Sequence, residues 1–340
     1  SFEKNGDDNF QKTHRTKVGV EIPKADIESL EYIWTTSETP PENGWMPFEI
    51  NDEIIHSSGS GDYYLHVRAT SSIGKTSIET SNVFKFDNTK PTLNLSHEPT
   101  EYTSGDVTIT VTASDVHSGI KRIKLPDNQW INDSTATYLV KENATYTFEV
   151  EDNAGNVTTK SIEVLNIDKI PPTIELSKNG GDWAKSHTTV IDVTDDESGV
   201  DHVEYVWSTS TEEPTGSFTE INNNGSVKSP DTTGDYYLHV RARDNVGNMR
   251  KFTSKSFKVD VTAPTAPTIS AATGWQKEDV TVTLTDGEDS NSGVDYSEYS
   301  FDGINWEKYT TPLTISENGE ITVLARTIDN AGNMSAITSE

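Results

Sequence analysis

Apolar and polar residues alternate strictly over short stretches of the chain. Val107-Thr-Ile-Thr-Val-Thr and Val280-Thr-Val-Thr-Leu-Thr place every second side chain on one face, the two-residue period of a half-buried strand. Shorter apolar runs such as Thr173 to Leu176 also read as strands, as do segments of the form Glu-Tyr-x-aromatic at Glu31 to Trp34, Glu204 to Trp207 and Glu298 to Phe301. The most regular strand, Gly-Asp-Tyr-Tyr-Leu-His-Val-Arg-Ala, occurs at Gly61 to Ala69 and again, unchanged, at Gly234 to Ala242. No segment shows the three-to-four-residue period of a helix, and Asp, Asn, Gly and Pro punctuate the runs as turn formers do.

These signals recur in one order. An Asp-x-x-x-Pro-Thr linker occurs at Asp87 to Thr92, Asp168 to Thr173 and Asp260 to Thr265, at spacings of 81 and 92 residues. After each linker come a short strand, an aromatic (Tyr102, Trp183 or Trp275) and an alternating strand. An Asp-x-x-Ser-Gly turn follows, at Asp115 to Gly119, Asp195 to Gly199 or Asp289 to Gly293. The regular strand then runs into Asp-Asn-x-Gly-Asn at Asp152 to Asn156, Asp244 to Asn248 and Asp329 to Asn333, and a closing strand such as Lys255 to Asp260 ends the unit. The first unit has Ser71-Ser72-Ile73-Gly74-Lys75 in place of that last turn. About seven short strands per unit predict a two-sheet sandwich. The expectation is all-β: tandem immunoglobulin-like sandwiches end to end, spanning 1–88 (divergent), 89–168, 169–260 and 261–340 (lacking its closing strand).

Composition narrows the chemistry. With 340 residues and 32% hydrophobic content, several small cores fit better than one large core. The absence of cysteine excludes disulfides, thiol catalysis and cysteine metal sites. A formal charge of −28 argues against nucleic-acid and anionic-membrane surfaces, which need basic patches, and permits cationic partners. No run approaches the roughly 20 apolar residues of a membrane-spanning helix. A start at Ser1 without methionine, and a stop soon after a loop motif, read as a stretch of something longer.

Taken together, the Asp-x-Thr-x-Pro-Thr linker, the Asp-x-x-Ser-Gly-Val turn and the Asp-Asn-x-Gly-Asn turn resemble bacterial Ig-like repeats strung along large cell-surface proteins and adhesins. The resemblance covers residues 89–340 well and the first unit more loosely. It implies an extracellular or cell-wall location, and calcium at junctions between repeats.

No nucleophile–base constellation is present, and the polar groups recur with the repeat instead of gathering in one pocket, so no catalysis is expected. Alternation along Gly234 to Ala242 puts Tyr236, Leu238, Val240 and Ala242 inward, which sends His239, and by the same register His66, to the surface. Trp34 and Trp207 are expected in the core, and Trp45, Trp130 and Trp306 as caps on it.

The acidic turns admit two readings. Asp, Asn and Gly are good turn residues without any ligand. In an immunoglobulin-like sandwich, however, the linker and both acidic turns of one repeat meet at one pole. Carboxylates gathered there repel unless a cation sits between them, and Asp, Asn and carbonyl oxygens suit calcium. The first candidate site draws on Asp87, Asp115, Asp152 and Asn156. A second uses Asp168, Asp195 or Asp196, Asp244 and Asn248, and a third Asp260, Asp286 or Asp289, Asp329 and Asn333. The first unit should have none. The expected role is a rod-like spacer projecting a binding domain from a bacterial cell, each unit about 35 Å long. Its rivals are an adhesive module that grips a glycan or host protein, and an accessory stalk of a secreted carbohydrate-active enzyme.

Overall fold

The computed structural model describes residues 1–340, and every regular element in it is a strand. Contacts divide the chain into two compact units, Ser1–Ile167 and Asp168–Glu340.

Within the first unit, one sandwich is built from a sheet in which Gly61–Ser71 lies between Ile27–Thr35 and Phe84–Phe86, faced by the pair His14–Lys17 with Glu53–His56. The next has the sheets Thr135–Val140, Val107–Ser114, Thr92–Glu98 and Trp130–Ile131, Ile120–Lys124, Ala144–Asp152, Val157–Val164. The alternating run Val107, Ile109, Val111 is fully buried, as are Phe148 and Val150 from the opposing sheet, while the intervening threonines face outward. That division is the expected consequence of a two-residue period between water and a core.

Asp168–Glu340 repeats the plan. The sheet Thr173–Leu176, Thr188–Thr194, Gly225–Lys228 faces one centred on Val200–Ser208 and Gly234–Asp244, around a core of Ile191, Leu238, Val240 and Phe257. A further sandwich pairs Thr268–Ser270, Val280–Thr285, Leu313–Ile315 against Glu307–Lys308, Val294–Ser300, Leu324–Asp329, Thr338–Ser339. The fold is thus a tandem series of β-sandwiches with separate hydrophobic cores.

Two expectations about side chains are corrected. His66 and His239 do face away from the core, yet they are 0% and 1% exposed. The hairpin loop after the partner strand folds over that face. His239 Nε2 lies 3.0 Å from the Ser210 carbonyl and Nδ1 lies 3.0 Å from the Thr253 hydroxyl, and His66 makes the matching contacts with Ser37 and Thr80. Period-two alternation tells the two faces apart but not whether a loop covers the outer one. Trp45, Trp130 and Trp306 likewise lie on the outer face, not over the core. Each stacks on an arginine of the sheet, Arg68, Arg122 and Arg326, at 4.5, 3.9 and 4.1 Å. Phe218 does the same for Arg241 at 3.9 Å. The in-plane N–H groups of each arginine are paired with a carboxylate: Glu31, Glu151, Glu204 or Glu298. Trp34 and Trp207 do pack with the core phenylalanines, 5.2 Å from Phe84 and Phe257.

Candidate metal centres

Each acidic triad is assembled from three elements that the fold brings to one pole. Asp87 directly follows the closing strand Phe84–Phe86, Asp115 follows Val107–Ser114, and Asp152 ends Ala144–Asp152. One oxygen from each lies within 4.8 Å of the others, and the same holds for Asp168, Asp195, Asp244 and for Asp260, Asp289, Asp329. The linker and last-turn aspartates are 0–1% exposed, and Asp115, Asp195 and Asp289 are partly so.

The turns hold the carboxylates with backbone donors. In the first triad Asp87 accepts from the Thr89 and Ser118 N–H groups at 2.9 and 3.1 Å, and Asp115 Oδ1 from those of His117 and Gly119 at 3.0 and 2.9 Å. The second oxygen of Asp115 is buried and has no hydrogen-bond partner. Gly119 sits at φ +74° and Gly155 at +86°, conformations that glycine adopts at little cost and that let each turn fold back onto its aspartate. Equivalent N–H donors serve Asp168 (Ile170, Ser198), Asp260 (Thr262, Ser292) and Asp289 (Asn291, Gly293). For Asp168 and Asp260, burial opposes ionisation, but these hydrogen bonds outweigh it and hold both below the ordinary carboxylate range.

Three asparagines act as donors. Asn156 Nδ2 donates to Asp152 Oδ2 at 2.8 Å and to the Asp87 carbonyl at 2.9 Å. Asn248 bridges Asp244 and the Asp168 carbonyl, and Asn333 bridges Asp329 and the Asp260 carbonyl, in the same way. In this way they hold the aspartates in place. Of the alternatives left open by sequence, Asp195 and Asp289 join the triads, whereas Asp196 and Asp286 are exposed and stand apart.

Sequence reasoning missed Glu197. It occupies the variable third place of the turn, where the other turns carry His117 and Asn291, so the repeat gave no signal for it. Its carboxyl group is pushed up by burial and by a hydrogen bond with Asp168, whose charge and that of Asp195 add to the effect. Lys12 was missed as well. It reaches from the end of Asp7–Gln11 to donate to the Gly155 carbonyl, and Lys185 passes beside Gly332 in the same place.

The first sandwich supplies a control. Its corresponding turn keeps the same backbone bonds, Ser71 N–H to the Lys75 carbonyl and Gly74 N–H to the Ser71 carbonyl, with no carboxylate at all. The turn therefore does not require the acid. Three carboxylates this close repel by about 3 kcal/mol per pair at an effective dielectric of 20. A hard cation binds oxygen at roughly 2.3–2.6 Å, so oxygens within 4.8 Å of one another can share a single ion.

No family model and no curated protein matches the chain. Solved structures resemble it only distantly. A Ca2+-stabilised adhesin with which an Antarctic bacterium reaches out and binds ice is 16% identical, covering 96% of this chain and 92% of its own, with a TM-score of 0.33. Part of a 1.5-MDa bacterial ice-binding adhesin is 18% identical over 74% of this chain and 97% of its own, at 0.43. Fibronectin(III)-like modules of Clostridium thermocellum CbhA are 12% identical over 50% and 94%, at 0.24.

Proposed function

We propose that this chain is a non-catalytic spacer of a bacterial surface or secreted protein, with its sandwiches joined at calcium-loaded poles. The repeats run 1–88, 89–168, 169–260 and 261–340, and the spacer holds a glycan- or protein-binding domain away from the cell. The observation that carries this reading is the triad of carboxylates, two of them fully buried, repeated at three successive linkers and absent from the Ser71–Lys75 turn of the first sandwich. An adhesive pocket would belong to one repeat, whereas these groups belong to the repeat pattern. Asp87, Asp115 and Asp152 hold the first ion, Asp168, Asp195 and Asp244 the second, with Glu197 beside them, and Asp260, Asp289 and Asp329 the third.

Binding the folded chain alone stabilises it by about 2.7 kcal/mol at a hundredfold excess of calcium over Kd, and it stiffens each linker. Calorimetric titration should give three sites per chain, with two left after Asp115→Asn. Melting and small-angle scattering are then compared in calcium and in chelator. An unchanged melting temperature and maximum dimension would reduce the acidic turns to plain turns.

A further inference from the structure

The first sandwich holds a pair of facing histidines with no counterpart elsewhere in the chain. His14 and His56 are directly opposed in the antiparallel pair His14–Lys17 with Glu53–His56. His14 is 1% exposed. Its Nε2 lies 2.8 Å from the Lys85 carbonyl on the closing strand, but its Nδ1 is buried without a hydrogen-bond partner, as is Nε2 of His56. Aromatic rings pack around the two imidazoles, of which His14 is buried and His56 partly so. Trp34 stacks on His56 at 5.3 Å, and Phe86 meets both edge-on at 4.6 and 4.9 Å. Phe84 and Tyr63 complete the box at 5.2 and 4.9 Å.

The same place in the other sandwiches shows what is unusual here. The second puts Val107 opposite Val140, both buried. In the third, His187 keeps the bond to the closing strand, 2.9 Å from the Lys258 carbonyl, but its neighbour across the pair is Ser229 and its Nδ1 is contacted by Lys178 at 3.1 Å. Only the first sandwich sets two imidazoles opposite one another across the strand pair, each with a buried nitrogen that has no hydrogen-bond partner.

We propose that this histidine pair is an acid-operated release of the first sandwich: proton uptake drives the imidazoles out of the aromatic box and frees the strands His14–Lys17, Glu53–His56 and Phe84–Phe86 from one another. A cation inside a ring-lined cavity loses its hydration, and a second cation facing it adds repulsion. The charged groups around the pair are few. From Asp7–Gln11, Asp7 Oδ2 lies 3.7 Å from His14 Nδ1, but that oxygen is already the partner of Lys4 and accepts from Gln11, while Oδ1 accepts from Asn9. From the closing strand comes only the Lys85 carbonyl, and near His56 the backbone of Ser58. One carboxylate shared with a lysine cannot neutralise two imidazolium ions. Burial is the largest influence on both histidines and lowers both, against the hydrogen bonds that favour the charged form. The unfolded chain therefore binds protons first, and stability falls as pH drops below the ordinary histidine value of about 6.5. Buried His66 acts in the same direction within this sandwich, whereas its counterpart His239 belongs to the third.

The test is amide hydrogen exchange on the full chain at about pH 7 and about pH 5, corrected for intrinsic rates and run in chelator. Protection of 14–17, 53–56 and 84–86 should fall at least about tenfold, the consequence of one proton-binding unit, while 188–194, 225–228 and 257–259 keep theirs. In H14V/H56V, which copies the valine pair, most of the fall should disappear, leaving only the part that His66 carries. H56S, which copies the third sandwich, should roughly halve it on a logarithmic scale and guards against a double variant that does not fold. Equal loss in both sandwiches, or a loss that survives in H56S at full size, overturns the proposal.

Discussion

Replacing Asn156 by alanine tests the pole without any metal. The side-chain amide is the donor for Asp152 Oδ2 at 2.8 Å and for the Asp87 carbonyl at 2.9 Å, and Asp152 and Asp87 are both 0% exposed. Truncation leaves a buried carboxylate oxygen and a backbone carbonyl without these donors. A hydrogen bond to a charged group contributes about 1.5–3 kcal/mol and a neutral one about 0.5–1.5, so the expected loss is about 3 kcal/mol in chelator. For a domain of this size that is a fall in Tm of about 10–20 °C for the transition containing residues 89–168. Asn156→Asp asks a sharper question, since it removes the donor and adds a fourth carboxylate. It should be at least as damaging in chelator, yet recover more than the alanine variant when calcium is added. Urea titration followed by far-ultraviolet circular dichroism, with and without calcium, reads both. A loss under about 1 kcal/mol for Asn156→Ala would show that the amide is replaceable by water, and the account of the pole as a buried, tightly donated cluster would fail.

Gly180 has φ +90°, and a Cβ there would sit 2.8 Å from Lys255 Cβ and 2.9 Å from the Ser256 carbonyl; Gly180→Ala should cost about 2 kcal/mol or more in chemical denaturation. His239→Leu strands the Ser210 carbonyl under its loop and should cost about 2 kcal/mol, with faster proteolysis of the 208–218 loop. The Glu151 carboxyl lies below its ordinary range because of Lys121, against some burial, with Arg122 assisting. Its contribution is therefore present above about pH 4.5 and is lost as pH falls through the folded value, so Glu151→Gln should flatten the acid limb of the stability curve.

The fold was readable because strand alternation, linker prolines and turn glycines all act locally. Val107 to Thr112 could only be a half-buried strand, and the repeated Gly61 to Ala69 segment marked the same strand twice. The acidic triads were readable because topology carries linker, first turn and last turn to one pole. What remained hidden depends on contacts between distant segments. No alternation pattern could tell that the 208–218 loop roofs His239, or that Trp45 turns outward to Arg68. Glu197 was invisible because the repeat varies at that place, and Asp195 was separable from Asp196 only once the Gly199 N–H had chosen one of them.

Asp87 has a consequence for how the chain is made. It terminates one sandwich, with its N–H bonded to the Gln11 carbonyl, and its carboxylate organises the turn of the next through Ser118. Asp260 repeats this double duty, bonded through its N–H to the Ala184 carbonyl and through its side chain to Ser292. Each of these two aspartates thus ties the closure of one sandwich to the pole of the next within its own unit. For a chain that emerges amino-terminus first, the expected outcome is that the earlier sandwich of each pair assists the later, and a fragment beginning just after either aspartate should be less stable than the same sandwich in the pair.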